Sequence, residues 1–298
     1  MTTTDQQRAA GYHVLAQLLE QGAADVDPEL ARLFDPQVDP DGLRSEYVAA
    51  FDLGIPPFAS AFLEADRCVG SRITAAIGDR MGEGGGTGLA ACHVAAQLHH
   101  VTALLARGQW GQARLFVHDV LLTWLPTFSV VMDEQPVPFW RAVVRQALDL
   151  AADHAGAEAP EQWSMPLRAA EVPAPLGEKS GLADIANWLA TPAAAGTFIS
   201  DPDLLAIGRT LELPRGFGSR PQRIETMLRS AVDYGLVPQA VEGIRAVLQR
   251  RRDAMVELGR THVHQGLIAP WLARLDTALD VTATLSEAAL RATDTTED

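Results

Sequence analysis

Apolar residues recur at steps of three and four along most of this chain. Residues 236–258 and 266–285 each carry such a stripe, and a third lies in residues 87–108. This spacing is typical of amphipathic α-helices. Aromatic residues make up only 6% of the chain, and no run of β-branched residues alternates with polar ones between turn residues. The sequence therefore predicts an all-α protein, folded as a multi-helix bundle with an additional C-terminal helical region. The stripe in 87–108 consists of Ala90, Val94, Leu98, Val101 and Leu105.

Breaks in the helical pattern divide the chain into regions. Residues 154–181 are rich in Pro, Ala and Gly and hold no sustained period, which is typical of a linker or a strap. The glycine-rich residues 83–88 indicate a flexible joint between two helices. We expect a helical domain at 1–155, a linker or strap at 156–181, a C-terminal helical region at 182–292 and a disordered tail at 293–298.

Two serine residues predict helix starts in the C-terminal region. Ser200 is followed three residues later by Asp203, and Ser219 is followed three residues later by Gln222. Both pairs have the spacing of a capping box, in which the two residues exchange hydrogen bonds at a helix N-terminus. Two short helices are therefore predicted on either side of the turn-rich stretch "LPRGFG", residues 213–218.

The charge of the chain restricts its partners. It has 24 Lys and Arg residues against 38 Asp and Glu residues, a net charge of −14. Binding to nucleic acid or to anionic lipid depends on cationic patches. The charge therefore argues against nucleic acid and against stable membrane association, and it favours cationic partners.

The two cysteines and the N-terminal residues indicate the cellular compartment of the protein. Cys68 and Cys92 form no CxxC pair and no zinc spacing, which fits two free thiols in a reducing compartment. Residues 1–22 lack the basic start and apolar block of a signal peptide. We also expect no apolar run to approach the ~18–20 residues of a membrane span. These features predict a cytoplasmic protein.

No motif supports catalysis. The stretch "GEGGGTG" (82–88) has neither the Lys-Ser/Thr pair of a phosphate loop nor a strand before it, and Glu83 would repel phosphate. His93 and His100 share a predicted helix face with Gln97, but no carboxylate lies three or four residues after His93. Partly buried or surface histidines fit better than metal ligands. We predict no enzyme activity, no cofactor and no metal.

A second apolar helix is predicted over residues 114–132, where Pro126 should cause a kink. Trp124 and Phe128 lie on one face of it. They fit either a core helix or the wall of a groove that clasps an apolar partner segment. The same alternatives apply to Tyr47, and Glu46 fits a solvated surface position equally well.

The stretch "DLGIPPFASAF" (52–62) also has two interpretations. Pro56 and Pro57 stiffen it directly after a predicted helix that ends near Phe51, and Phe58 and Ser60 follow. It is either a structural corner fixed to the helices behind it, or part of a surface that holds an extended peptide.

Three stretches taken in order resemble one family. "EYVAAFDLGIPPFASAF" (46–62) resembles the E-Y-x-x-L-F … P-P-[YF]-E-S motif of the TorD/DmsD/NarJ-type chaperones. "CHVAAQLHHVTALL" (92–105) is similar to their D-H-[IL]-x-x-E-L helix, and "LFVHDVLLTWLPTF" (115–128) is similar to their D/E-H-L-x-x-W-x-P-x-F helix. The resemblance covers roughly residues 8–155, and the second half looks like an extension carried by some longer members.

Several positions depart from the family pattern. Cys92 stands for the usual Asp or Asn, Gln97 for Glu, and Ala59 for the Glu after P-P-[YF]. Val120 stands in the register of the second histidine, with His118 displaced by two residues. These changes remove polar groups from the family's binding face, and they suggest more apolar ligand contacts.

The resemblance implies a function. Such chaperones bind the twin-arginine signal peptide and the apo catalytic subunit of a molybdenum-cofactor oxidoreductase, and they assist cofactor insertion in the cytoplasm before export. A leader that is cationic at its start and apolar in its middle would complement an acidic host with an aromatic groove. The expected peptide-binding residues are Glu46, Tyr47, Phe51, Pro56, Pro57, Phe58, Ser60, His93, Gln97, His118, Asp119, Trp124 and Phe128.

Two other functions compete with this one. A general helical scaffold would bind many unfolded proteins without leader preference, and a nucleotide-binding enzyme would use residues 82–88. The joint at 83–88 and the linker are both places where helices could be exchanged between two copies, so the sequence leaves a monomer and a homodimer formed by helix swapping both open.

Overall fold

The computed structural model describes residues 3–21, 26, 28–39, 42–64, 72–82, 89–156, 176–177, 179–214, 216–261 and 265–294. Helices make up about 80% of this part of the chain and it contains no strand, so the all-α prediction is confirmed. The helices are α1 Thr3–Gln21, α2 Pro28–Phe34, α3 Leu43–Tyr47, α4 Ala59–Leu63, α5 Arg72–Met81, α6 Leu89–Cys92, α7 Val94–Ala106, α8 Trp110–Phe116, α9 Leu122–Met132, α10 Pro138–Ala155, α11 Leu182–Ala190, α12 Pro192–Ala195, α13 Asp201–Thr210, α14 Arg220–Asp233, α15 Val237–Thr261 and α16 Gln265–Asp294.

Helix α9 lies at the centre of the fold. All of its residues are buried, and it packs against α10, α4, α15 and α16. A π-helical turn at Val117–Leu121 joins it to α8. The helix continues through Pro126. Proline has no N–H to donate to the preceding turn of the helix. The π-helical turn, which is wider than an α-helical one, is one way for a helix to accommodate this missing hydrogen bond.

The expectation that no apolar run reaches membrane-spanning length is wrong. Trp110–Met132 is long and apolar enough to cross a membrane by length and composition. Its most apolar window is 89% buried inside the protein, so this stretch forms the core of the fold. A buried core helix passes the same composition test as a membrane span because both are apolar on all sides.

The predicted apolar stripes face the core, except at Ala90, which lies in α6 and is exposed. Val94, Leu98, Val101 and Leu105 are buried along α7, which packs lengthwise against α1. Buried residues of α15 continue the pattern in the second half, where α15 and α16 run antiparallel side by side. Arg252 of α15 pairs with Asp276 of α16 at 2.5 Å. Apolar burial along these stripes is the main stabilising contribution to the bundle.

The two regions share one hydrophobic core. The Trp271 indole N–H donates to the Thr123 carbonyl oxygen at 2.9 Å, and the Arg251 side chain donates to the Val130 carbonyl oxygen at 2.9 Å. Both donors come from the C-terminal region and both acceptors from α9. The C-terminal region therefore packs directly onto the central helix of the first region.

The predicted helix starts are observed. The amide of Ser200 donates to Asp203 Oδ2 at 2.9 Å, and the Asp203 amide donates back to Ser200 Oγ at 3.4 Å. At α14, the Ser219 amide donates to Gln222 Oε1 at 2.8 Å. Both helices begin directly after these serines.

Some predicted features fall outside the described residues. These are the joint at 83–88, Cys68, most of the linker, and the end of the tail after Asp294. The first two residues of the predicted tail, 293 and 294, belong to α16.

Candidate functional site

The loop at residues 55–58 connects two of the three motif stretches. The Pro57 carbonyl oxygen accepts from the Val94 amide at 2.9 Å, and Phe58 and His93 form an isolated antiparallel bridge. The Phe58 and His93 rings meet edge to face, with 4.9 Å between their centroids. The loop is thus anchored to the start of α7, while Phe58 stays partly exposed.

A buried hydrogen bond connects the second and third stretches. The Trp124 indole N–H donates to Gln97 Oε1 at 3.1 Å, and Gln97 Nε2 donates to the carbonyl oxygens of Ala91 and Cys92 at 3.2 and 3.3 Å. Gln97 and Trp124 are both fully buried. A polar group at such a depth is stable only with hydrogen-bond partners, and the Gln97 amide has them on both sides.

Aromatic side chains from the first and third stretches form a cluster around Phe62. Its ring lies 5.6 Å from those of Trp124 and Phe128, measured between centroids. Phe198 of the C-terminal region packs on the same ring at 5.7 Å. The cluster therefore includes a side chain that lies 136 positions after Phe62 in the sequence.

The groove-wall interpretation of Trp124 and Phe128 does not describe this structure. Both are fully buried, as is Phe51: the Phe62 ring packs against Trp124 and Phe128, and the Trp140 ring packs against Phe51. The core interpretation is the one observed. A direct role for these three residues in peptide binding stays a prediction, and it requires the side chains packed against them to move.

The π-helical turn before α9 holds two further predicted residues, His118 and Asp119, which are buried. Asp119 Oδ2 accepts from the Arg80 guanidinium at 2.7 Å, and Asp119 Oδ1 lies 3.6 Å from His118 Nδ1. Arg80 also lines an open cavity of about 380 Å³. π-Helical turns occur often at functional sites, so this turn is a candidate for one. His100, Leu104, Arg107, Gln109 and Phe116 also line the cavity.

Six of the thirteen predicted site residues remain at least partly exposed: Glu46, Tyr47, Pro56, Phe58, Ser60 and His93. The other seven are buried: Phe51, Pro57, Gln97, His118, Asp119, Trp124 and Phe128. The structure thus separates one connected set into an accessible edge and an inaccessible interior. We call the six partly exposed residues the accessible edge.

Glu46 on the accessible edge lies in an acidic surrounding. Burial, and then the carboxylates of Asp35 and Asp39, raise the pKa of Glu46. Within the described residues, Glu46 Oε2 accepts no hydrogen bond. The neighbouring Tyr47 hydroxyl donates to the Leu19 carbonyl oxygen at 3.0 Å, which fixes its ring against the bundle. Carboxylates that repel one another at a surface favour binding of a cation.

Burial lowers the pKa of two histidines, His93 at the N-cap of α7 and His100 within the helix. His93 Nδ1 accepts from the Ala95 amide at 3.2 Å as the N-cap of α7, and burial lowers the pKa of His93. Burial, and then Arg107, lower the pKa of His100, whose ring packs 4.6 Å from that of Phe116. Among the described residues, no group of three or more His, Cys, Asp or Glu side chains is arranged to hold a metal ion.

Sequence reasoning missed Asp35, Asp39 and Arg80. Asp35 and Asp39 precede the first motif stretch, and Arg80 lies 39 residues before Asp119. No spacing rule links Arg80 to Asp119, and no motif covers Asp35 and Asp39. The one usable signal was the net charge, which favoured an acidic surface without locating it.

Comparisons of the chain with protein-family models, with curated proteins and with solved structures find no match.

Proposed function

We propose that this protein is a cytoplasmic chaperone for a molybdenum-cofactor oxidoreductase. It binds the twin-arginine leader and the apo catalytic subunit and assists cofactor insertion before export. The proposal is supported by the three motif stretches, which contact one another through the Phe58–His93 bridge and the Trp124–Gln97 hydrogen bond. The observation that carries it is the Phe58–His93 bridge, which holds the first and second stretches together at the accessible edge beside the partly exposed Phe58 ring.

The acidic group fits the cationic start of a leader. Glu46, Asp35 and Asp39 are close enough for their charges to interact, so a nearby arginine pair would relieve their repulsion. Guanidinium groups also match carboxylates in bidentate geometry. The net charge of −14 adds a long-range attraction that raises the association rate of a cationic peptide.

The loop before α4 fits the apolar part of the same peptide. Leu53 is 73% exposed, and Phe58 is partly exposed on the same loop. The loop backbone is fixed, because the Ile55 amide donates to the Ala50 carbonyl oxygen at 2.7 Å and Pro57 is bonded to Val94. A preformed surface loses less conformational entropy on binding than a mobile one.

Calorimetric titration with a twin-arginine leader of a molybdoenzyme from the same genome tests the proposal. We expect saturable binding with a Kd in the micromolar range, weaker with both arginines changed to Gln and at higher salt. Glu46→Gln should weaken binding severalfold. Glu287→Gln removes an equal charge from the exposed face of α16, and it should have no effect.

Two outcomes would reject leader recognition. One is the absence of binding at about 100 μM peptide, which is well above the micromolar scale. The other is equal binding of the leader and of an unrelated unfolded protein, which would favour a general scaffold.

A further inference from the structure

The loop between α13 and α14 carries an aromatic side chain that is exposed to solvent. Phe217 is 88% exposed, the most exposed of the large apolar residues that the structure describes. A Cβ atom at Gly216 would lie 3.0 Å from Thr226 Cβ, and one at Gly218 would lie 2.4 Å from Gln222 Oε1. Gly218 also has a φ of +101°. The backbone on both sides of Phe217 therefore packs closely on α14, and this packing turns the ring outward.

A largely apolar cavity of about 320 Å³ opens next to the backbone that carries Phe217. It lies between α13 and α14, and Gly216, the neighbour of Phe217, is part of its wall. A protein cavity of roughly 150 Å³ is large enough to hold benzene. The cavity therefore has room for a phenyl ring. Its apolar lining consists of Leu204, Leu205, Leu213, Pro214 and Met227.

We propose that this face is an interface between two copies of the chain, in which each Phe217 inserts into the cavity of the other copy. Phe217 and the cavity are adjacent on one molecule, so a two-fold axis beside Gly216 brings each ring to the other cavity. Such an isologous arrangement is the commonest way for identical chains to associate. This inference does not rest on the proposed chaperone function.

The charges around the cavity favour a second copy over a strongly charged partner. Arg223 and Asp201 pair with each other at the rim. Arg209 and Glu212 are also rim residues, and both are exposed. Within the described residues neither makes an ion pair. A two-fold contact can place Arg209 of one copy near Glu212 of the other, whereas a purely cationic or anionic partner would oppose one of the two charges.

The net charge gives this interface a salt dependence opposite to that of leader binding. Each copy carries −14, so two copies repel at low ionic strength. Salt screens this repulsion, with a Debye length of about 10 Å at 0.1 M and about 3 Å at 1 M. Self-association should therefore strengthen with salt, while leader binding should weaken. Failure of one proposal can be told apart from failure of the other.

Sedimentation equilibrium of the full chain at about 0.1 M and about 1 M NaCl tests the interface. Phe217→Ala removes the ring. Gly208→Leu fills the cavity from its wall, where an added Cβ meets only the Leu213 carbonyl oxygen, at 3.6 Å. Each variant should weaken the dimer by about tenfold or more, the scale of losing a buried aromatic anchor. Tyr234→Ala removes another exposed aromatic side chain, at the far end of α14, and should change nothing.

A mixture of the two variants tests the reciprocal geometry. One copy then keeps its cavity and the other keeps its ring, so the mixed pair retains one of the two insertions. The mixture should associate more strongly than either variant alone. A monomer at about 100 μM in both salts, or a dimer unaffected by Phe217→Ala, would overturn the proposal. So would a mixture that associates no better than its components.

Discussion

The Trp124 indole N–H donates to Gln97 Oε1 at 3.1 Å in the interior of the protein, joining α9 to α7. Gln97→Leu would remove the acceptor and leave a buried N–H without a partner. We expect a loss of about 1–3 kcal/mol in the free energy of unfolding. Urea denaturation followed by circular dichroism measures it.

The double variant isolates the hydrogen bond. Trp124→Phe removes the donor, so Gln97→Leu combined with Trp124→Phe should cost less than the sum of the two single changes. Additive costs would contradict a contribution from this bond.

Helix positions could be predicted from the sequence, but the exposure of Trp124 could not. The stripes of α7 and α15 have one apolar face each, so their period also indicates which side is buried. Every residue of α9 is apolar or buried, and periodicity therefore selects no face. For this reason the sequence left both a core position and a groove wall open for Trp124. The deciding contact, Phe198 on Phe62, joins residues 136 positions apart and leaves no local signal.

For the candidate site, the sequence predicted that the three motif stretches contact one another, but it did not predict which of their residues are exposed. The order of the three motif stretches indicated that residues near Phe58, His93 and Trp124 belong together, and contacts between these stretches are observed. The burial of α9, which carries Trp124 and Phe128, depends in part on how the C-terminal region packs on that helix. That packing rests on apolar shape and on buried bonds such as Trp271 to Thr123, which no motif encodes.

His154 gives the stability of the fold a pH dependence. It is buried, and its Nδ1 lies 3.1 Å from the Tyr12 hydroxyl, between α10 and α1. Burial, and then Arg8, lower the pKa of His154 to about 4. In the unfolded chain its pKa is about 6.5, so the unfolded state takes up a proton first as the pH falls. The contribution of the neutral His154 side chain to the free energy of unfolding is fully present above about pH 6.5. It is lost progressively as the pH falls from about 6.5 to 4.

Urea denaturation at pH 7.5 and at pH 5 measures this loss, which should be on the order of 2 kcal/mol from this residue. His154→Gln cannot take up the proton, so its stability should change less between the two pH values. His13→Gln is the control, because His13 is exposed. An equal pH dependence in the wild type and in His154→Gln would contradict the assignment.

Arg251 is a buried charge that holds the two regions together. Its guanidinium donates to the Val130 carbonyl oxygen at 2.9 Å and lies 3.3 Å from Asp203 and 3.2 Å from Glu134. Arg251→Met would leave the buried Asp203 carboxylate with a weaker pairing. We expect a loss of about 3–5 kcal/mol in the free energy of unfolding.

The adjacent residue is a matched control for this change. Arg252 makes a more exposed pair with Asp276, and Arg252→Met should cost about 0–1 kcal/mol. Equal losses for the two variants in urea denaturation would show that the Arg251 contacts add nothing beyond a surface ion pair.

Glu212 ends α13 in a conformation that suits glycine. Its φ is +56°, and it is the one non-glycine residue with a positive φ among the described residues. The Leu213 amide donates to the Gly208 carbonyl oxygen at 2.8 Å across it, the pattern of a helix C-terminal cap in which glycine is preferred. Glu212→Gly removes the crowding of the Cβ atom but increases the freedom of the unfolded chain. We expect a net gain of about 0.5–1 kcal/mol in the free energy of unfolding.

Glu212→Ala keeps the Cβ atom and should give no gain. Thermal unfolding in dilute solution, where self-association at the neighbouring cavity is negligible, compares the three proteins, and a stabilised Glu212→Ala would assign the effect to the carboxylate instead.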